Sequence, residues 1–149
     1  MMNAQQVKEQ LQDYIAGIDT QATEMWRIRQ PEDAYALLAP MIAREQQEVF
    51  IVITLNNDNE VIDIHKVTRG LIDSSPLHAR EVFHRAIKDL AASIITAHNH
   101  PSGKLEPSMQ DIQAHQRLTE ASDIIGIPIR DNLIVSTKGY TSFLEEGIY

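Results

Sequence analysis

Two histidines one residue apart, His98 and His100, lead into Pro101-Ser102-Gly103 and then into a serine and an aspartate three apart, Ser108 and Asp111. The set follows directly on the most apolar stretch of the chain, Ile94-Ile95-Thr96-Ala97. If that stretch is a strand extended to residue 100, alternation puts both imidazoles on one face at its C-terminal end. Open α/β sheets bind ligands at that end. A His-x-His pair alone fits two polar residues closing a strand equally well. Asp111 changes the weighing. With Ala114, Leu118, Ala121 and Ile125 it recurs at steps of three and four, which places an aspartate on the buried stripe of a helix. A carboxylate there needs a partner charge or a metal. Two imidazoles, one carboxylate and an open fourth position are the ligand set of a catalytic zinc site, where bound water would have a pKa near 7. Ser108-x-x-Asp111 after Pro107 is also a capping-box pattern, and for Ser108 taken alone capping is the stronger reading.

The elements that must position these residues can be read from periodicity. Val7, Leu11, Tyr14 and Ile15 predict an amphipathic helix over 4–16 stopped by Gly17. It reads as an appendage or docking arm, or as an extension packed loosely on its own domain. Pro31 suits a first helical turn, and Ala34, Leu37, Leu38, Met41 and Ile42 form a stripe that Pro40 should kink or interrupt. Strands near 49–55 and 60–67 flank the hairpin signal Asn56-Asn57-Asp58-Asn59. A helix follows, with Ser75 as N-cap, Pro76 in its first position, and Val82, Phe83, Ala86, Ile87 and Leu90 on one face. Residues 92–98 read as a buried strand, 109–125 as a helix closed by Gly126, 128–137 as a last strong strand, and Phe143–Glu146 as a terminal turn or short helix. Strands alternating with helices predict an α/β fold, a mixed central β-sheet flanked by helices.

The chain has 149 residues, enough to bury about 70% of its unfolded surface in one domain. It has no cysteine, so any metal is left to histidine and carboxylate. No basic n-region with an apolar core opens it, and no run approaches the ~20 apolar residues of a membrane span, so a cytoplasmic protein is expected. A net charge of -8 works against nucleic-acid binding. Arg80, Arg85 and Lys88 are diluted by Glu81 and Asp89, as on a solvated helix face. His65, His78, His84 and His115 read as ordinary residues, His78 and Arg80 with packing or helix-start roles and His115 as exposed.

Glu48, then His98-x-His100-Pro101, then Ser108-x-x-Asp111 with seven residues between His100 and Ser108, resembles the JAMM signature of the JAB/MPN metalloprotease superfamily. The segments "AREVFHRAI", "AHNHPSGKLEPSMQDI" and "IGIPIRDNLIV" are similar to its RadC-like branch. The resemblance covers residues 30–149 and leaves 1–29 as an N-terminal helical extension. It implies a JAB/MPN domain resembling the cytidine-deaminase architecture, with Zn2+ held by His98, His100 and Asp111. It also implies Glu48 as general acid/base and Ser108 as a donor to the oxyanion. Nothing local separates Glu48 from Glu45 or Glu60; only the family position selects it.

The activity implied is a zinc-dependent peptidase or isopeptidase acting on a peptide or protein substrate, possibly an isopeptide conjugate. Three other classes are weighed against it. Superfamily members that act as silent scaffolds generally lose the metal ligands, which are all present here. A DNA-repair or mobile-element role rests on family association and runs against the charge. A nucleoside deaminase would need His-x-Glu and Pro-Cys-x-x-Cys elements that are absent. RadC-like chains commonly carry Asp-His where this one has Asp131-Asn132.

Overall fold

A computed structural model describes residues 1–16, 26–69 and 77–149, apart from the side chains of 14–16, 68 and 69. The described elements are α1 (Ala4–Ala16), α2 (Pro31–Ile42), β1 (Val49–Leu55), β2 (Val61–Arg69), α3 (Ala79–Lys88), β3 (Ser93–Asn99), α4 (Met109–Ile125), β4 (Ile129–Ser136), β5 (Gly139–Ser142) and α5 (Phe143–Glu146). The strands form one sheet in the order β2-β1-β3-β4-β5. Only β3 and β4 are parallel, and α4 connects them; every other neighbouring pair is antiparallel. This is the mixed α/β sheet that the strand and helix pattern predicts.

Both faces of the sheet are covered, which explains why its central strands are apolar at nearly every position. On one face Val49, Ile51, Ile53, Leu55, Ile95, Ala97, Leu133 and Val135 pack with Ala34, Leu37, Leu38 and Ile42 of α2. On the other, Val52 and Ile94 meet Val82, Phe83 and Ala86 of α3 and Leu118 of α4. Phe50 and Val52 of β1 and Ile94 of β3 belong to this second face. By alternation so do His98 and the approach to Glu48.

Helix α1 is more firmly seated than a docking arm or loose appendage. Val7 is 1% exposed within the α2-side core, with Met2 and Leu11 packed beside it. Gly17 lies outside the described residues. Pro40 does not interrupt α2, which runs unbroken to Ile42; so near the C-terminal end little of the helix follows the proline. The β1–β2 hairpin is closed by Asn56, whose Oδ1 accepts from Asp58 and Glu60 N–H, with Asn59 at φ 60.

Helix α3 starts later than expected. Ser75 and Pro76 lie outside the described residues, and the N-cap is His78, whose N–H donates to Glu81 Oε2 at 2.9 Å. Its end differs too. Leu90 turns to φ 52 just past the helix and is 88% exposed, and Ile87 is 55% exposed, so neither joins Val82, Phe83 and Ala86 in the core. Strand β5, which pairs Leu133–Ser136 with Gly139–Ser142, was not anticipated; its Gly-Tyr-Thr-Ser sequence carries no apolar alternation. No helix among the described residues is long and apolar enough to cross a membrane.

Candidate metal centre

The site is built where β3 ends and α4 begins. Strand β3 is buried from Ser93 to Asn99 and delivers His98 at 3% exposure. His100 stands just past its end, held by its own Nδ1–H, which donates to the Lys104 carbonyl at 2.8 Å. A carbonyl can only accept, so this bond fixes the proton on Nδ1 and turns Nε2 inward as the potential ligand atom. The intervening Pro101–Pro107 segment returns the chain to α4. There Ser108 caps the helix by accepting from Asp111 N–H at 3.1 Å, and Ser108 N–H donates to Asp111 Oδ2 at 2.8 Å. The capping box is thus real, and it holds the Asp111 carboxylate at the helix N-terminus, where the helix dipole favours negative charge.

Three ligand atoms converge. His98 Nε2 and His100 Nε2 are 3.2 Å apart, His98 Nε2 is 3.2 Å from Asp111 Oδ1, and His100 Nε2 is 3.0 Å from Asp111 Oδ2. Donors on a tetrahedral cation with bonds of about 2.0–2.1 Å stand about 3.3 Å apart. Two imidazole nitrogens and two carboxylate oxygens at these spacings fit a shared cation. Glu48 offers a carboxylate oxygen to the same group, all of whose ligand atoms lie within 4.8 Å of one another. The residues present therefore fit a divalent metal held by His98, His100 and Asp111, with Glu48, itself exposed, at the open side.

The electrostatics follow from this convergence. Burial alone would push the Asp111 carboxyl up, but hydrogen bonds from His100 and His98 outweigh it and hold the group far below the usual carboxylate range. The bond to Asp111 is the main cause raising His100 above the ordinary imidazole value, against the opposing effect of burial. A proton on His100 and a metal compete for the same lone pair.

Of the residues selected from the sequence, the structure brings Glu48, His98, His100 and Asp111 together, with Ser108 one helical turn before Asp111. Of the stripe that singled out Asp111, Leu118 is buried but Ile125 is 40% exposed. His115 is not exposed. It is 8% accessible, edge-on to Phe143 at 5.0 Å between ring centres, and burial lowers its pKa. That contact comes from a segment far along the chain, which helical periodicity cannot foresee. Asp131 is buried under three donors, Asn132 N–H, Ser142 Oγ–H and Leu144 N–H, and so anchors the turn into α5. The Lys104 carbonyl was missed as a ligand-orienting group, since only loop geometry brings it to His100.

Residues 28–148 match the model of the RadC-like JAB domain. The chain belongs to the RadC-like JAB-domain family. Its relatives include a UPF0758 protein of Rubrobacter xylanophilus, 46% identical over 81% of this chain and 53% of that protein. Another, from Symbiobacterium thermophilum, is 45% identical over 79% and 50%. A third, from Staphylococcus epidermidis, is 40% identical over 83% and 54%. This RadC-like chain spans about half the length of the curated relatives it matches.

Proposed function

We propose that this RadC-like JAB domain is a zinc-dependent hydrolase of the JAMM type, a peptidase or isopeptidase cleaving an amide bond. The observation that carries the reading is the convergence of two imidazoles and two carboxylates at one solvent-facing strand end. Zinc, when bound, supplies a Lewis acid that brings water within reach of ionisation near neutral pH and polarises a carbonyl. His98, His100 and Asp111 would hold it. Lys104 keeps the His100 tautomer that leaves Nε2 free to ligate.

Glu48 would take the proton of the attacking water and deliver it to the departing amine, a transfer worth about 10²–10⁴ in rate. Its exposure is compatible with that role, because the proton must pass to a group arriving from solvent. Ser108 Oγ spends a lone pair on the Asp111 N–H, which leaves its own O–H available to the oxyanion that develops on the carbonyl oxygen. With a net charge of -8, a peptide or protein substrate is favoured over nucleic acid; an isopeptide conjugate has the same amide to break. A cytoplasmic setting is part of the same proposal.

The test is a zinc-loaded protein challenged with a panel of fluorogenic peptides and lysine-linked isopeptides. Glu48→Gln should keep one zinc per chain and lose activity by about 10²–10⁴. Equal activity in Glu48→Gln, or no zinc bound by folded protein at neutral pH, overturns the reading. Zinc binding without hydrolysis across the panel would favour a scaffold.

A further inference from the structure

We infer that Asn99, the residue between the two metal-site histidines, is the positioning residue for Glu48. This rests on Glu48 handling the proton as proposed above. Because side chains alternate along β3, Asn99 points to the face opposite His98 and His100. It is fully buried there, and its carboxamide makes three hydrogen bonds to one segment. Asn99 Oδ1 accepts from Val49 N–H at 2.6 Å, and Asn99 Nδ2–H donates to the Gln47 carbonyl at 3.1 Å and to the Glu45 carbonyl at 3.2 Å.

The Gln47 carbonyl and the Val49 N–H belong to the two peptide groups that flank Glu48. One carboxamide thus fixes both peptide planes bordering that residue and sets the direction in which its side chain leaves the backbone. The need for such a clamp is plain from the register. The last ladder pair between β1 and β3 is Phe50↔His98 and that between β1 and β2 is Val49↔Arg69, so Glu48 lies just beyond both ladders, after a stretch of turn and bend. A carboxylate on an unpinned strand end would sweep a wide arc. The Asn99 side chain extends the pairing by one step and brings Glu48 to the ligand group.

The chemistry requires asparagine. One acceptor facing an N–H and two N–H bonds facing carbonyls are what a carboxamide offers. An aspartate would set a buried negative charge against two carbonyl oxygens, and alanine or serine would strand buried backbone groups. The strand end therefore serves two faces at once, with metal ligands on one and the clamp for the general acid/base on the other.

Cobalt(II), whose visible absorption reports on its immediate surroundings, is the probe, loaded into wild type, Glu48→Gln, Asn99→Ala and the double variant. Glu48→Gln and Asn99→Ala should change the visible band alike, and the double variant should look like Glu48→Gln alone, since a clamp matters only through what it holds. Cobalt affinity in Asn99→Ala should fall by less than the roughly 10-fold that loss of a ligand's hydrogen-bond partner costs. Exchange of the Val49 amide hydrogen should quicken about tenfold. A wild-type band in Asn99→Ala, or a further change in the double variant, overturns the inference. An unchanged band in Glu48→Gln instead removes Glu48 from the site and takes both readings down. If Asn99→Ala loses its far-UV circular dichroism, Asn99→Ser takes its place. Loss of fold in both makes Asn99 a general fold element and also overturns the inference.

Discussion

Among the described residues two groups of histidine and carboxylate are built by the same local rule, and the first has the spacings that suit a tetrahedral cation better. At the first, His98 and His100 share a face of β3, and Asp111 enters from the first turn of α4. At the second, Asp63 and His65 share a face of β2, and Asp89 enters from the C-cap of α3. The second group is closed by protons and a resident cation. His65 Nε2–H donates to Asp89 Oδ2 at 2.6 Å, Thr54 Oγ–H donates to the same oxygen at 2.7 Å, and the Lys8 ammonium lies 3.2 Å from Asp63 Oδ2. His65 Nε2 and Asp63 Oδ2 are 3.7 Å apart, so the spacings of 2.6 and 3.7 Å straddle the about 3.3 Å that a tetrahedral cation asks of its donors. One imidazole replaces two, and Asp89 sits at a helix C-terminus, where the dipole disfavours its charge. Among the described residues no lysine or arginine is paired with the carboxylates of the first group, which leaves it open to an outside cation; the second has Lys8 and ties α1 to the sheet.

The largest effect expected from this contrast is on metal binding. His98→Ala or Asp111→Asn should weaken zinc by more than the roughly 10–100-fold that loss of a ligand's hydrogen-bond partner costs. His65→Ala should leave one zinc per chain, as read by calorimetry with elemental analysis. Loss of a zinc equivalent in His65→Ala would erase the distinction between the two groups.

Stability should respond in the opposite way. Asp89→Ala strands the largely buried His65 ring and leaves the Thr54 O–H to donate only along its longer 3.3 Å bond to the Asp63 carbonyl, and should lower unfolding free energy by about 1–3 kcal/mol in urea. Asp111→Asn in zinc-free protein should cost less, because the amide oxygen can still accept the Ser108 N–H.

The two groups should also depend on pH with different signs. Burial works to raise Asp89, but its bonds from His65 and Thr54 leave the carboxyl below its ordinary value. Its contribution to stability is present above the unfolded pKa of about 3.9 and is lost as pH falls through the folded value. His100 is raised, so in zinc-free protein its contribution is present below about 6.5 and is lost as pH rises through the folded value. Zinc, by displacing that proton, should bind more weakly as pH falls. Urea midpoints from pH 3 to 9, with and without zinc, read all three trends. The smallest effect belongs to Lys8→Ala, at most about 1 kcal/mol because the ammonium is 47% exposed and well screened.

Much of the candidate metal centre was legible because its logic is local. Alternation places His98 beside His100, and the Ser108-x-x-Asp111 cap fixes the aspartate in a first turn; both depend on residues a few positions apart. The same rule was equally present in Asp63-x-His65 and said nothing there, since its meaning turned on Lys8 and Asp89 from distant elements. Asn99 was invisible for a related reason. Its partners lie some fifty residues upstream, and a residue between two ligands shows no pattern of its own. Leu90 failed on backbone conformation, because a stripe drawn past Lys88 assumes a helix that had already ended.

By itself the sequence determined the order and type of the strong elements, the two-sided burial of the sheet's centre and the side-chain types that can ligate, because periodicity and capping are short-range. Tertiary structure alone decided which carboxylates meet which imidazoles and whether a lysine or open solvent faces them. It also decided where Glu48 stands. Those outcomes depend on distances between segments brought together by packing, and strand pairing sets such distances to within an ångström whereas residue spacing does not set them at all.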